Sequence, residues 1–197
     1  MHEFVLVVAV FVIAGAVIAA LAIPAGAVLA LIERWLTYAA AALIVFVMLF
    51  VCAEVTMRYG FNSPIPGHLE LSELFVPIIV FFAISYTQAR NAHVGMTVVV
   101  EALSPGKRRI LESLTQLVSA LICAVLAYFN AKHAYFSWSI DDVTMTPPYW
   151  QVWPSIAAIA LGYFLIAVRM YLQTLHLVFP NHYPQADAPE EATLLLE

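Results

Sequence analysis

The chain has 197 residues, of which 63% are hydrophobic and only 11% charged, with a formal net charge of −5. A water-soluble domain carries roughly a quarter charged residues, so this chain lacks the polar surface to cover a globule. Its charges are also unevenly placed and leave uncharged runs of spanning length, since roughly 20 apolar residues cross a hydrocarbon core of about 30 Å. The runs do not alternate polar and apolar at every second residue as barrel strands would, and backbone groups in lipid must be bonded internally, so the spans are helices.

The first apolar run is Phe4 to Ile32, interrupted only by Gly15, Pro24 and Gly26. It lacks the basic flank of a signal peptide and exceeds the usual h-region, so it reads as an additional, retained transmembrane helix over residues 1–32. Glu33-Arg34 then forms a polar collar, which is expected to separate this run from a second one, Leu36 to Ala53. A third runs from Leu69 to Ala89, a fourth from Ile110 to about Phe129, and the last from Trp150 to Phe179, where Pro180 stops it. Between the third and fourth, Val94 to Leu103 is too short to span and reads as a helix lying in the interface. Residues 180–197 are acidic and proline-bearing and read as a short disordered tail. The expected fold is an all-α integral membrane protein, a four-helix core over residues 33–179 plus the N-terminal span.

Basic residues set the orientation. Arg90, Lys107, Arg108 and Arg109 lie between the third and fourth runs, and Arg34 and Arg169 fall on the same side; only Arg58 and Lys132 fall opposite. The prediction is five spans, an outer N-terminus and a cytoplasmic C-terminus. Tyr135, Phe136, Trp138, Tyr149, Trp150 and Trp153 form the outer interfacial belt, and Trp35 and Tyr38 the inner one.

Ionisable groups near the spans are costly and each needs a partner or an exit to water. Glu54 and Arg58 stand in the favoured order for an intrahelical pair. Glu70 and Glu73 open the next span on the same side and offer Arg58 a second partner. On the inner side Glu112, Arg90 and Arg169 share a depth, and the expected tie is Arg169 to Glu112. A proton or ion pathway is disfavoured because the span centres are nearly empty of charge. His93 and His176 share the inner side, which leaves a haem- or quinone-binding anchor of a redox complex as the alternative function. No metal-ligand spacing, phosphate loop or nucleophile–base arrangement stands out, and Cys52 and Cys123 act as small apolar residues within spans. The Lys107-Arg108-Arg109 triplet is a topology signal and at most an anionic-lipid contact, not a nucleic-acid site.

The order of several short motifs resembles one family. Arg58-Tyr59-Gly60-Phe61-Asn62-Ser63-Pro64, then Glu70-Leu71-Ser72-Glu73-Leu74, is similar to the outer loop and second core helix of the small membrane (Q) subunit of tripartite ATP-independent periplasmic (TRAP) transporters. Tyr86-Thr87-Gln88-Ala89-Arg90-Asn91-Ala92-His93-Val94 resembles the end of that helix. Leu103-Ser104-Pro105 with the basic triplet resembles the family's loop, and Pro148-Tyr149-Trp150 with Trp153-Pro154 the start of its last helix. The likeness covers about Glu33 to Leu177; the Phe4–Ile32 run is an addition, and Tyr149 stands where the family more often goes directly to Trp.

The resemblance implies a non-catalytic scaffold subunit in the bacterial inner membrane. It implies a large multi-span subunit that carries an organic acid with sodium ions, a periplasmic substrate-binding protein that this subunit helps to dock, and no cofactor of its own. Under this reading Glu54, Arg58, Glu70, Glu73, Arg90, His93, Glu112 and Arg169 are structural or interface candidates, not catalytic or metal-binding residues.

Overall fold

The computed structural model describes residues 22–89 and 105–178. These fold into four long helices, α1 (Ala22–Gly60), α2 (His68–Ala89), α3 (Pro105–Ser139) and α4 (Trp153–Val178). Each is long and apolar enough to cross a bilayer. Most of the proposed additional span, the interfacial segment Val94 to Leu103, and the tail after Val178 lie outside the described residues.

Three boundaries differ from expectation. The Glu33-Arg34 collar does not separate two helices: α1 runs unbroken for 39 residues, about 58 Å. A charge need not end a helix whose backbone bonds are intact, and the Glu33 side chain is buried. For the same reason α3 continues past Phe129 through Lys132 and His133 to Ser139. It stops in a turn where Asp141 takes a left-handed φ of 48°. The last helix begins at Trp153, not Trp150, because the residues before it form a small hairpin. There Val143 bridges Gln151, Thr144 N donates to Trp150 O at 2.9 Å and Val152 N donates to Asp142 O at 3.2 Å. Pro154 falls in the first turn of α4, where a missing N–H costs nothing. Pro77 lies inside α2, a placement that membrane helices tolerate.

The helices pack in the order α1–α2–α4–α3. Half of the α4 span is buried, against 6–11% of each of the others. Its buried residues point in several directions around the axis, from Ser155 and Ile156 through Leu165 and Ile166 to Thr174, as expected of a central helix. By contrast, α1 touches its neighbours along one narrow seam: Leu29, Glu33, Leu36, Ala40, Leu43, Val47, Phe50 and Glu54. Between Leu31 and Gly60 every residue outside that set except Thr37 is exposed. The spacing alternates three and four, the heptad geometry of left-handed helix pairs. On α3 a similar repeat runs through Gln116, Ala120, Cys123, Ala127, Asn130, Ala134 and Ser137. Small residues at these positions let α3 lie close along α4.

The α2–α4 crossing depends on Gly162. A Cβ there would stand 2.6 Å from Phe81 Cβ and 2.7 Å from the Phe81 carbonyl oxygen. The next residue, Tyr163, stacks its ring on Phe81 at 4.8 Å between centroids. Gly162→Ala is therefore expected to push α2 and α4 apart and cost about 1–3 kcal/mol. Gly60→Ala, where a Cβ would meet nothing within 4 Å, is expected to be neutral. Thermal denaturation of the purified chain in detergent, scored by monodispersity, checks the pair; equal melting points for both variants would contradict the packing argument.

Candidate functional site

Polar side chains gather at the two ends of the α1 seam. Glu33 and Glu54 are about 31 Å apart along the helix at 1.5 Å per residue, close to the thickness of a hydrocarbon core. Both are buried, so α1 is fastened at two depths and is otherwise apolar between them.

Toward the C-terminal end of α1, Glu54 Oε1 accepts from Arg58 Nε at 2.8 Å and Nη2 at 2.6 Å, one helical turn away. Arg58 Nη2 also reaches His68 Nε2 at 3.2 Å, and His68 Nδ1 lies 3.1 Å from the Ile65 carbonyl. A carbonyl can only accept, so Nδ1 carries the proton and Nε2 accepts from the guanidinium. Both ring nitrogens are thereby engaged within the protein, which leaves neither free as a haem ligand. The second partner of Arg58 is thus His68 and not Glu70 or Glu73. Glu70 instead accepts the hydroxyl of Thr146 at the hairpin tip. Beside it Gly67 adopts φ 71°, and a Cβ there would meet Pro148 Cδ at 2.6 Å and the Pro147 oxygen at 2.9 Å. The hairpin therefore leans across from the end of α3 onto the start of α2. Glu73, on the second turn of α2, is placed within the helix with no ion pair among the described residues.

Toward the N-terminal end of α1, Glu33 Oε1 accepts the Ser85 hydroxyl of α2 at 2.5 Å, while Glu33 Oε2 faces Arg169 Nη2 of α4 at 3.8 Å. All three side chains are nearly sealed from solvent. The expected Arg169–Glu112 tie is not formed. Glu112 pairs with Arg108 on its own helix at 2.8 Å, whereas Arg169 turns toward α1. The reason is geometric: α4 lies between α2 and α3, and Arg169 sits on the face of α4 directed at the α1–α2 seam.

Nearer the C-terminal ends of α2 and α4, Gln88 Nε2 donates to Gln173 Oε1 at 2.9 Å, and Gln173 Nε2 donates back to the Gln88 carbonyl at 3.1 Å. Arg109 of α3 donates to the Leu177 carbonyl at 2.5 Å and the Val178 carbonyl at 3.2 Å. The last carbonyls of a helix have no intrahelical donor. Here the end of α2 is satisfied from α4, and the end of α4 from α3. A cation at a helix C-terminus also complements its dipole. Arg90 and His93 lie outside the described residues. The residues that sequence reasoning passed over are Glu33, Ser85, Gln88 and Gln173. The one available signal was that Glu33 falls in register with Ala40, Val47 and Glu54 on a seven-residue repeat.

No described group of three or more His, Cys, Asp or Glu residues is arranged to hold a metal ion. What the geometry defines is a multi-pass helical membrane protein whose polar groups fasten helices to one another. Residues 47–179 match the family described as tripartite ATP-independent periplasmic transporters, DctQ component. The chain belongs to that family, which is non-enzymatic. It is also similar to a protein of Haemophilus influenzae carrying the name TRAP transporter small permease protein, 31% identical over 78 residues, which are 40% of this chain and 48% of that one. The match thus spans about half the length of that relative.

Removing one member of a buried ion pair leaves the other charge unsatisfied and costs about 3–5 kcal/mol, whereas replacing both by apolar residues is often neutral. Glu33→Leu and Arg169→Met are each expected to lower the melting temperature in detergent by roughly 10 °C. The double variant is expected to recover most of that loss. Additive losses in the double variant would show that the two side chains are not coupled.

Proposed function

We propose that this chain is the non-catalytic small membrane subunit of a binding-protein-dependent, sodium-coupled secondary transporter for organic acids. It acts as a scaffold for a large multi-span subunit that carries substrate and sodium, and its outer face offers a docking site for a periplasmic binding protein. The observation that carries this reading is the distribution of burial. Only α4 is largely buried, and α1 presents a continuous apolar and aromatic face from Trp35, 67% exposed, to Leu49, 59% exposed. Such a face suits packing against a larger apolar partner as well as lipid. The polar groups at both ends of α1 hold it in place while its remaining surface stays free to be covered. Family membership supports the same assignment.

The orientation proposed is that of a bacterial inner-membrane protein with its C-terminus in the cytoplasm, because Lys107, Arg108 and Arg109 stand at the start of α3 beside the end of α4. A reporter active only in the cytoplasm, fused after Glu197, is expected to give signal. Signal only from a periplasmic reporter at that site would reverse the assignment.

Co-expression with a large TRAP permease subunit is expected to yield a colourless, stable complex that takes up an organic acid under a sodium gradient once the binding protein is added. Recovery of the chain as a haem-bearing protein without that partner would sink the proposal in favour of a redox anchor. Within the complex, Arg58→Ala leaves Glu54 buried and unpaired, and Glu70→Ala/Glu73→Ala releases the hairpin from α2. Each is expected to lower complex yield or uptake several-fold. Wild-type yield and uptake in both would remove the outer cluster from the functional account.

A further inference from the structure

The Arg169 guanidinium is buried at a depth where its charge needs company, yet its partnering is incomplete. The residue is 4% exposed. Its acidic neighbour, Glu33 Oε2, lies 3.8 Å from Nη2, beyond hydrogen-bond length. Its Nε has no hydrogen-bond partner among the described residues. An unmet N–H of this kind is costly in a dry interior. The carboxylate is not at liberty to close the gap, because Ser85 holds its other oxygen at 2.5 Å. Swinging Glu33 onto Arg169 would draw it off α2.

We propose that the space between Arg169 and Glu33 is a built hydration site for an internal water. That water accepts from Arg169 Nε–H and donates to Glu33 Oε2, with the Ser85 hydroxyl oxygen offering a further acceptor. A buried water needs about two to four polar partners, and these three groups are the right number and kind. Glu33 Oε2 stands 3.8 Å from Nη2 of the same guanidinium, so a water bonded to Nε at about 2.8 Å has that oxygen within reach.

The local charge decides the class of ligand. The carboxylate repels an anion and the guanidinium repels a cation, so a neutral molecule that both donates and accepts is the occupant that satisfies both sides. Water reaches the site from the inner end. Ser85 lies about one turn from Gln88 and Arg169 about one turn from Gln173, so polar groups line the approach. On the other side stand Ala40, Leu165 and Ile166, all buried and apolar. The site is therefore a dead end and not part of a route across the membrane. It also goes beyond the transport assignment, since it depends only on the packing of α1, α2 and α4.

A crystal structure grown from a lipidic mesophase, at a resolution that shows ordered waters, tests the site in the full chain. The expected result is density within hydrogen-bond reach of both Arg169 Nε and Glu33 Oε2, lost in Glu33→Leu/Arg169→Met. A direct two-point salt bridge with nothing between would overturn the proposal, as would an anomalous signal there after a bromide or rubidium soak. Infrared spectra after transfer of reconstituted protein to D2O give an independent reading that needs no double variant. In the wild-type minus Arg169→Lys difference, the guanidinium band is expected to shift before the α4 amides exchange. A band that shifts only together with those amides would mark a dry pair and refute the water.

Discussion

The arrangement of this protein depends on a pair of buried opposite charges on non-adjacent stretches of chain, Glu33 on α1 and Arg169 on α4, with Ser85 of α2 between them. In lipid, apolar contact alone gives helices little reason to prefer one neighbour over hydrocarbon tails; packing and interhelical hydrogen bonds supply the preference. The helix α1 has a seam only two residues wide per seven. Such a seam specifies a face but leaves sliding by a heptad almost undetermined, because Leu36, Leu43, Val47 and Phe50 are close to interchangeable. Placing a glutamate at each end removes that ambiguity. Glu33 finds its partners in only one register, and in that register the Glu54–Arg58 pair of α1 meets His68 at the start of α2. Polar residues at core positions of coiled coils are the best-attested case of this use.

The other connections follow from the same constraint. Helix ends carry carbonyls that lipid cannot satisfy, and the C-terminal ends of α2 and α4 are met by Gln173 and Arg109 from neighbouring helices. At the opposite end, the hairpin before α4 is tied to α2 by Thr146 and by the close approach of Gly67 to Pro147 and Pro148. The central helix α4 is thereby held at both ends, while the outward faces of α1 and α3 remain uncommitted. The described helices thus divide into an interior fastened by a few specific polar contacts and a broad apolar exterior.

Much of the architecture was legible in residue order. Uncharged runs of spanning length mark helices because the bilayer penalises charge and unpaired backbone alike. The α2 span was placed within a residue of its observed start, and the Glu54–Arg58 pair follows from an i, i+4 spacing that any helix brings together. Two of the misplaced boundaries share one cause. Glu33-Arg34 was read as a break between spans and the fourth run was ended at about Phe129, before Lys132, although a charge ends a helix only when its backbone also turns, as it does at Asp141. The motif order from Arg58 to Trp153 carried the family, since those residues are clustered at loops and helix ends where substitution is constrained by turns and caps.

The sequence by itself determined that this is a helical membrane protein, that four of its runs among the described residues are apolar enough to cross, and the family to which it belongs. These depend on local composition and on the chemistry of short segments, and they need no knowledge of neighbours. Only the tertiary structure decided which helix is central, that Arg169 answers to Glu33 and not to Glu112, and that Arg58 turns to His68 and not to Glu70. Candidate partners at similar depth are equivalent along the chain; they become distinct once α4 lies between α2 and α3 and directs Arg169 toward α1.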